Sequence, residues 1–184
     1  MKKFFYILLL ILCCIGCEGP EARRPIKVKT GSYFKQSIAR NKALLAKEEK
    51  RIAHLIKGDT IHKYINSPNG SWFYYDVKNE EETYLPKSED LVTMTYNLVD
   101  FNNDTIYSKE EIGVFKYKVD KQDLFLGLRT SVKLLKVNET ATFLYPSSLG
   151  YGYHGDNNKV GTNVPLKATV SIFNIEKNKD SIQN

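Results

Sequence analysis

Chemistry of the covalent or proton-transfer kind needs residues that this chain keeps apart. His54, His62 and His154 are not at the spacing of a metal site, and Ser147-Ser148 has no base nearby to activate a hydroxyl. No glycine-rich phosphate loop occurs. The three cysteines, Cys13, Cys14 and Cys17, all stand near the N-terminus. No metal, nucleophile or cofactor is expected. One run does carry oxygen donors in calcium-loop order, at Asp100, Asn102, Asp104, Ser108 and Glu111. Thr105 sits where that loop needs glycine, and strand-like rather than helical stretches flank it. A hairpin turn, with Asn and Asp bonding locally and accepting left-handed backbone, fits these residues better.

The elements that must position any site follow from periodicity. From about Tyr33 to Lys57 the apolar residues Phe34, Ile38, Leu45, Ile52 and Ile56 recur at steps of four and seven without internal Pro or Gly, which predicts a helix ended by Gly58 and Asp59. That face serves either packing on the chain's own domain or a partner, including a homodimer, and the pattern is too short to separate the two. After Asn66-Ser67-Pro68-Asn69-Gly70 come short runs rich in aromatic and branched residues: Trp72 to Val77, Leu91 to Val99, Gly113 to Val119, Thr140 to Tyr145 and Ala168 to Ile175. Val92, Met94, Tyr96 and Leu98 alternate with Thr93, Thr95, Asn97 and Val99, and Val114 with the aromatics after it is set against Lys116 and Lys118. Each strand should therefore show one face to water. Leu124, Leu128, Val132 and Leu135 step by four, four and three. One short helix across an antiparallel sheet is an α+β plan.

The first residues read as a targeting signal. Lys2 and Lys3 precede an apolar run from Phe4 to Ile15, then Gly16 and Cys17. A bilayer-spanning helix needs about 20 apolar residues, more than this run supplies. Ile15-Gly16-Cys17 resembles the end of a bacterial lipobox, with Cys14 where Leu is usual. On that resemblance residues 1–16 are a signal peptide and Cys17 is the lipidated first residue of an exported protein, expected at the outer membrane facing the periplasm. Removing residues 1–16 takes basic residues from 27 to 25 against 21 acids, so the net charge falls from +6 to +4. With charges interspersed rather than clustered, nucleic acid is not expected as a partner. Residues 17–31 hold Pro20 and Pro25 and read as a flexible spacer, followed by a helical segment over 32–69.

The most specific run is Leu124-Phe125-Leu126-Gly127-Leu128-Arg129, continuing through Val137-Asn138-Glu139-Thr140 and Leu144-Tyr145-Pro146 to Leu149-Gly150-Tyr151-Gly152, and closing at Val164-Pro165-Leu166-Lys167-Ala168-Thr169. With Val92 to Tyr96 and Phe115-Lys116-Tyr117 upstream, it resembles the FKBP-type peptidyl-prolyl cis/trans isomerases over residues 70–177, leaving 178–184 as a tail. The resemblance implies an antiparallel sheet wrapped around one short helix, isomerase activity on proline-containing polypeptides, and no cofactor. It places a pocket at Tyr96, Phe115, Leu124, Phe125, Leu128, Tyr151, Val164 and Ile172, with Tyr107 beside it. The Tyr151 hydroxyl and the Phe125 N–H would meet the bound carbonyls. Taken singly, each apolar member is better explained by plain core, because aromatics dominate interiors anyway. Tyr151, in a glycine-flanked loop, is the exception.

Several positions depart from the family's pattern. Its helix-opening Trp is Leu128, its last-strand Phe is Ile172, the Pro before Gly127 is Leu126, the Phe-Asp pair of the second strand is Ile106-Tyr107, and the Gly of the turn is Asn138. These changes imply an altered substrate preference or lower rate, and weak binding of rapamycin-like drugs. A non-catalytic binding or chaperone module on the same fold is the alternative. The lipobox, Pro-Glu-Ala-Arg-Arg-Pro, one helix and Trp72-Phe73-Tyr74-Tyr75 together resemble gliding-motility-associated lipoproteins of the Bacteroidota, implying a folding factor for a motility or secretion apparatus. Asp59-Thr60-Ile61, Asp104-Thr105-Ile106 and Asp180-Ser181-Ile182 resemble O-glycosylation sites of that phylum.

Overall fold

The structure, a computed structural model, describes residues 30–178. The signal, Cys17, nearly all of the spacer and most of the tail lie outside the described residues. The chain divides into two compact units, residues 1–37 and 38–184. The second carries everything discussed below unless stated.

Helix α1 (Thr30–Gly58) begins two residues before the helical segment read from sequence, so Thr30 and Gly31 belong to it rather than to the spacer. Its end is fixed by Asp59, whose N–H bonds back to the Leu55 and Ile56 carbonyls while its carboxylate accepts the N–H groups of Ile61 and His62. Only part of the predicted apolar face is covered. Ile52 is fully buried with Phe101 and Leu144, and Leu55, Ile56, Tyr64 and Trp72 close around it. Phe34, Ile38 and Leu45 remain exposed.

Eight strands form one antiparallel sheet: β1 (Ile65–Asn66), β2 (Trp72–Val77), β3 (Leu91–Tyr96), β4 (Leu98–Asp100), β5 (Thr105–Tyr107), β6 (Phe115–Lys118), β7 (Thr140–Tyr145) and β8 (Leu166–Glu176). Strand β8 is the spine. It pairs with β7 on one side, and on the other with β3 and then β4, so Met94 faces Ile172 and Val99 faces Lys167. The single run predicted from Leu91 to Val99 is thus broken at Asn97. There the Asn97 Oδ1 accepts the Thr169 N–H at 2.8 Å and the Asn97 N–H donates to the Thr169 carbonyl at 3.2 Å, so a side-chain amide replaces one ladder bond across the irregularity.

The alternation reading holds for Val92, Met94, Tyr96 and Leu98, which are all buried. Two details need correction. Thr95 and Val99 are buried as well, because a second layer covers them: the Thr95 hydroxyl donates to the Gly113 carbonyl at 2.7 Å. Val114 lies outside β6 and is exposed; it shares parity with Lys116 and Lys118, and the buried position is Tyr117. The Asp100 run is a hairpin turn in which Asp100 Oδ1 accepts the N–H groups of Asn102 and Asp104, each at 2.8 Å, and Asn103 takes φ 72°.

Two short helices complete the domain, α2 (Lys109–Ile112) and α3 (Leu126–Val132). Leu128, Val132 and Leu135 from α3 and its exit turn are fully buried against Met94, Tyr117, Phe143 and Ile172 of the sheet. Asn138 then turns the chain with φ 63°, its N–H on the Ile172 carbonyl. The approach of α3 to β7 is close: a Cβ at Gly127 would stand 2.6 Å from the Tyr145 ring and 2.9 Å from the Leu149 carbonyl. Gly127→Ala must therefore push the helix outward, and a stability loss of about 1–3 kcal/mol is expected. Urea unfolding of the variant beside the unmodified chain measures it.

Candidate active site

The nine apolar or aromatic residues singled out from sequence share one cluster. Tyr96, Phe125, Leu128 and Ile172 are buried in it, while Tyr107, Phe115, Leu124, Tyr151 and Val164 pack on its edge half-exposed. They come from several supports: Tyr96 ends β3, Phe115 opens β6, Leu124, Phe125 and Leu128 cluster at the start of α3, and Ile172 lies on β8.

Edge-to-face contacts fix the rings. Tyr96 meets Phe115 at 6.0 Å and Phe125 at 6.5 Å between centroids, both with planes at 74°. Phe125 stands on Tyr145 at 5.5 Å and 82°, and Tyr151 leans over Phe125 at 5.2 Å and 43°. Such pairs add about 0.5–1.5 kcal/mol each beyond burial and, more to the point here, hold ring orientation. The result is an aromatic cradle with Leu128, fully buried, at its base.

Polar groups at the rim are few. Burial pushes the Tyr151 hydroxyl well above the ordinary tyrosine value, and the nearby Tyr96, Asp156 and Tyr107 push it the same way. It stays protonated, hence a donor, throughout the neutral range. The Phe125 N–H, at the cap of α3, enters none of the backbone bonds that hold the flanking turns. Among the described residues neither donor has a hydrogen-bond partner, and both stand at one edge of the cradle. The loop bearing Tyr151 is itself well tied: Gly152 adopts φ 58°, Asn163 donates to the Gly152 carbonyl at 2.7 Å, and the Asp156 N–H donates to the Val160 carbonyl at 3.1 Å.

Asp156 is not among the residues expected from the sequence, since a lone carboxylate among Gly155, Asn157 and Asn158 gives no sign of a partner far along the chain. Its Oδ2 accepts the Tyr107 hydroxyl at 2.5 Å, and its Oδ1 accepts the N–H groups of Asn158 and Val160. Burial opposes its charge, but these bonds outweigh burial and hold the carboxyl below the ordinary carboxylate range. The same bond, first, and burial, second, raise the Tyr107 hydroxyl. Lys159 sits 4.8 Å over the Tyr107 ring. Tyr107 thus spends its hydroxyl on the loop and offers the cradle its ring.

A separate open cleft of about 360 Å³ lies against α1, with His54, Asp59, Tyr64, Tyr74 and Lys167 in its lining. Three of its polar members are already engaged: Asp59 Oδ2 takes the His62 Nδ1 at 2.8 Å and the Tyr64 hydroxyl at 3.0 Å, and Lys167 bonds Asn103. Among the described residues no group of three His, Cys, Asp or Glu could hold a metal ion. The aromatic cradle is the better candidate site.

Residues 82–176 match the family model described as FKBP-type peptidyl-prolyl cis-trans isomerase. A curated relative, the probable FKBP-type peptidyl-prolyl cis-trans isomerase FkpA of Neisseria meningitidis serogroup B, is 28% identical over 107 residues, which make up 57% of this chain and 38% of that protein. The match thus spans little more than a third of the relative's length. A solved peptidyl-prolyl cis-trans isomerase from Pseudomonas syringae pv. tomato is similar with a TM-score of 0.58 at 14% identity, covering 74% of this chain and 96% of its own. At that identity the likeness is one of fold.

The Asp156 bonds predict a pH signature. A carboxyl held below its unfolded value contributes stability that is complete above about pH 4 and is lost as pH falls through its lower folded value. Asp156→Asn should therefore cost about 1 kcal/mol at pH 7, and the gap from the unmodified chain should narrow steadily as pH falls below about 4. Denaturant unfolding at pH 7 and at a series of values below about pH 4 checks it.

Proposed function

Since the chain belongs to the FKBP-type peptidyl-prolyl cis-trans isomerase family, we propose that its aromatic cradle catalyses cis/trans isomerisation of Xaa-Pro bonds in polypeptides. The observation that carries this reading is the ring-walled cradle of Tyr96, Phe115 and Phe125 with a protonated, half-buried Tyr151 hydroxyl beside it and, at the cap of α3, a Phe125 N–H that donates no hydrogen bond among the described residues. Rotation about an Xaa-Pro bond costs roughly 18–20 kcal/mol because it breaks amide resonance. Water favours the planar, polar amide over the twisted one. Proline seated against the rings of Tyr96, Phe115 and Phe125, with Leu128 packed beneath them, loses that water, and a carbonyl bonded by Tyr151 and the Phe125 N–H is held while the other side turns. No group needs to gain or lose a proton.

The departures from the family pattern act on this picture in definite ways. Leu128 keeps the base apolar but gives no flat ring to stack on proline. Tyr107, occupied by Asp156, brings no carboxylate of its own to the cradle. Both support a changed substrate preference or a reduced rate rather than a different reaction. The exposed apolar stretch of α1, with Ile38 at 51% exposure, supports the second reading, a module that holds a client or partner without turning it.

The setting is also proposed. Lys2, Lys3, the apolar run and Cys17 support export and a lipid anchor, with proline-containing exported polypeptides as clients and the outer membrane, periplasmic face, as location. No described helix is long and apolar enough to cross a membrane. Service to a gliding or secretion apparatus rests on the resemblance of the N-terminal region alone.

A protease-coupled assay on an Xaa-Pro peptide tests the reaction. Acceleration over the uncatalysed rate is expected, with kcat/KM reduced about tenfold by Tyr151→Phe, the loss of roughly one transition-state hydrogen bond, while the melting temperature holds. A rate equal to the uncatalysed one leaves only the binding-module reading. In the same assay kcat/KM should stay flat from about pH 6 to about pH 10, the interval in which an unshifted tyrosine begins to ionise. A fall centred near neutrality would mean that a titrating group takes part.

A further inference from the structure

The loop that carries Tyr151 is fastened from outside the family-matched segment. Ser147 opens the short 3-10 turn Ser147–Leu149 after Pro146, and its N–H is one of the donors that a helical turn leaves without an internal acceptor. Glu48 of α1 supplies the acceptor: its Oε2 takes the Ser147 N–H at 2.9 Å, across 99 residues of sequence. Both residues are buried, Glu48 at 6% exposure and Ser147 at 2%. A bond between a carboxylate and an amide in such surroundings is among the stronger kinds.

What the Ser147 peptide does next matters more. Its carbonyl accepts the Gly150 N–H at 3.0 Å and the Gly152 N–H at 2.9 Å, the two residues on either side of Tyr151. One residue therefore passes the hold of Glu48 to both flanks of the site tyrosine. The Glu48–Ser147 bond lies at the wall of an open groove of about 150 Å³ between loop and helix, whose lining includes Glu48 and Ser147 with Leu45 and Tyr153, and Arg40 adds a second, exposed contact 6.0 Å over the Tyr153 ring. The other Glu48 oxygen is buried with no hydrogen-bond partner among the described residues. A half-used buried carboxylate costs stability relative to an apolar side chain, so plain helix packing gives no reason for it.

We propose that Glu48 is a positioning residue of the isomerase site, setting the Tyr151 hydroxyl through Ser147 and making α1 part of the working enzyme. The kinetic side of this inference rests on the isomerase reading; the structural side does not.

The test uses the full chain with Glu48→Ala, Glu48→Met and Glu48→Gln, each alone and combined with Tyr151→Phe. Methionine keeps the volume without an acceptor, and so replaces alanine if the smaller side chain prevents folding. Glutamine keeps the acceptor oxygen. In the Tyr151 background Glu48→Ala or Glu48→Met should lower kcat/KM about tenfold, and Glu48→Gln should recover it to within about twofold. With Tyr151→Phe already present, the same substitutions should cost less than about twofold, since a positioning residue has nothing left to position. Amide exchange at Gly150 and Gly152 should quicken roughly tenfold in the alanine or methionine variant and not in the glutamine one. Equal losses in both backgrounds, or unchanged exchange at these amides, overturn the inference. An unmodified chain without isomerase activity would defeat the isomerase reading, and the exchange measurement would then decide the coupling by itself.

Discussion

Everything at the site depends on how closely α3 lies on β7. Tyr145 donates its hydroxyl to the Ser131 Oγ at 2.7 Å with both residues fully buried, and Gly127 removes the side chain that would hold the helix away. A buried hydroxyl pair is costly unless both partners meet, so this bond fixes helix position as well as adding stability. With α3 at that height Leu128 becomes the base of the cradle, and Phe125, at the helix cap, is pressed edge-on to Tyr145. Tyr145 in turn lies parallel to Phe143, and Phe143 to Phe73, which ties the site to the sheet's interior through one column of rings. Raise the helix by the width of a methyl group and each of these contacts shifts together.

Much of this was legible in the sequence, and what was hidden shares a physical cause. Strand alternation at Val92, Met94, Tyr96 and Leu98 and the helical steps of Leu128, Val132 and Leu135 are local signals, and local signals survive folding when one face is buried. The break at Asn97 was not visible because the amide's partner, Thr169, is 72 residues away. Val114 shares the outward parity of Lys116 and Lys118, and those lysines, not its apolar side chain, mark its face. The covered half of α1 looks no different from the uncovered half in sequence, since Ile52 and Ile38 repeat the same pattern; only the sheet decides which is buried. Asp156 and Glu48 were invisible for the reason that matters most for function. Carboxylates in a turn and on a helix read as solvated, and each gains its role from one backbone or hydroxyl donor brought from far along the chain.

The electrostatics of the site follow the same division of labour. At Tyr151 burial acts first and the surrounding oxygens second, and both keep the proton on. At Asp156 burial and hydrogen bonds pull in opposite directions, and three donors prevail over desolvation. The negative charge this leaves near the rim is absorbed by the Tyr107 hydroxyl and the loop amides. The recess is left apolar with a neutral donor at its edge. Such a surface suits a reaction whose barrier is amide resonance and whose ground state is favoured by water, and it offers nothing to a reaction that needs a charged base.

The most direct measurement is exchange NMR on an Xaa-Pro peptide at equilibrium, recorded with isotope-labelled protein present at a small molar fraction. The predicted result is cis/trans exchange peaks that the peptide alone does not show, together with shift changes at Tyr96, Phe115, Phe125 and Tyr151. Absence of catalysed exchange, or shift changes confined to the cleft around His54, Tyr74 and Lys167, would contradict the assignment of the cradle as the catalytic site.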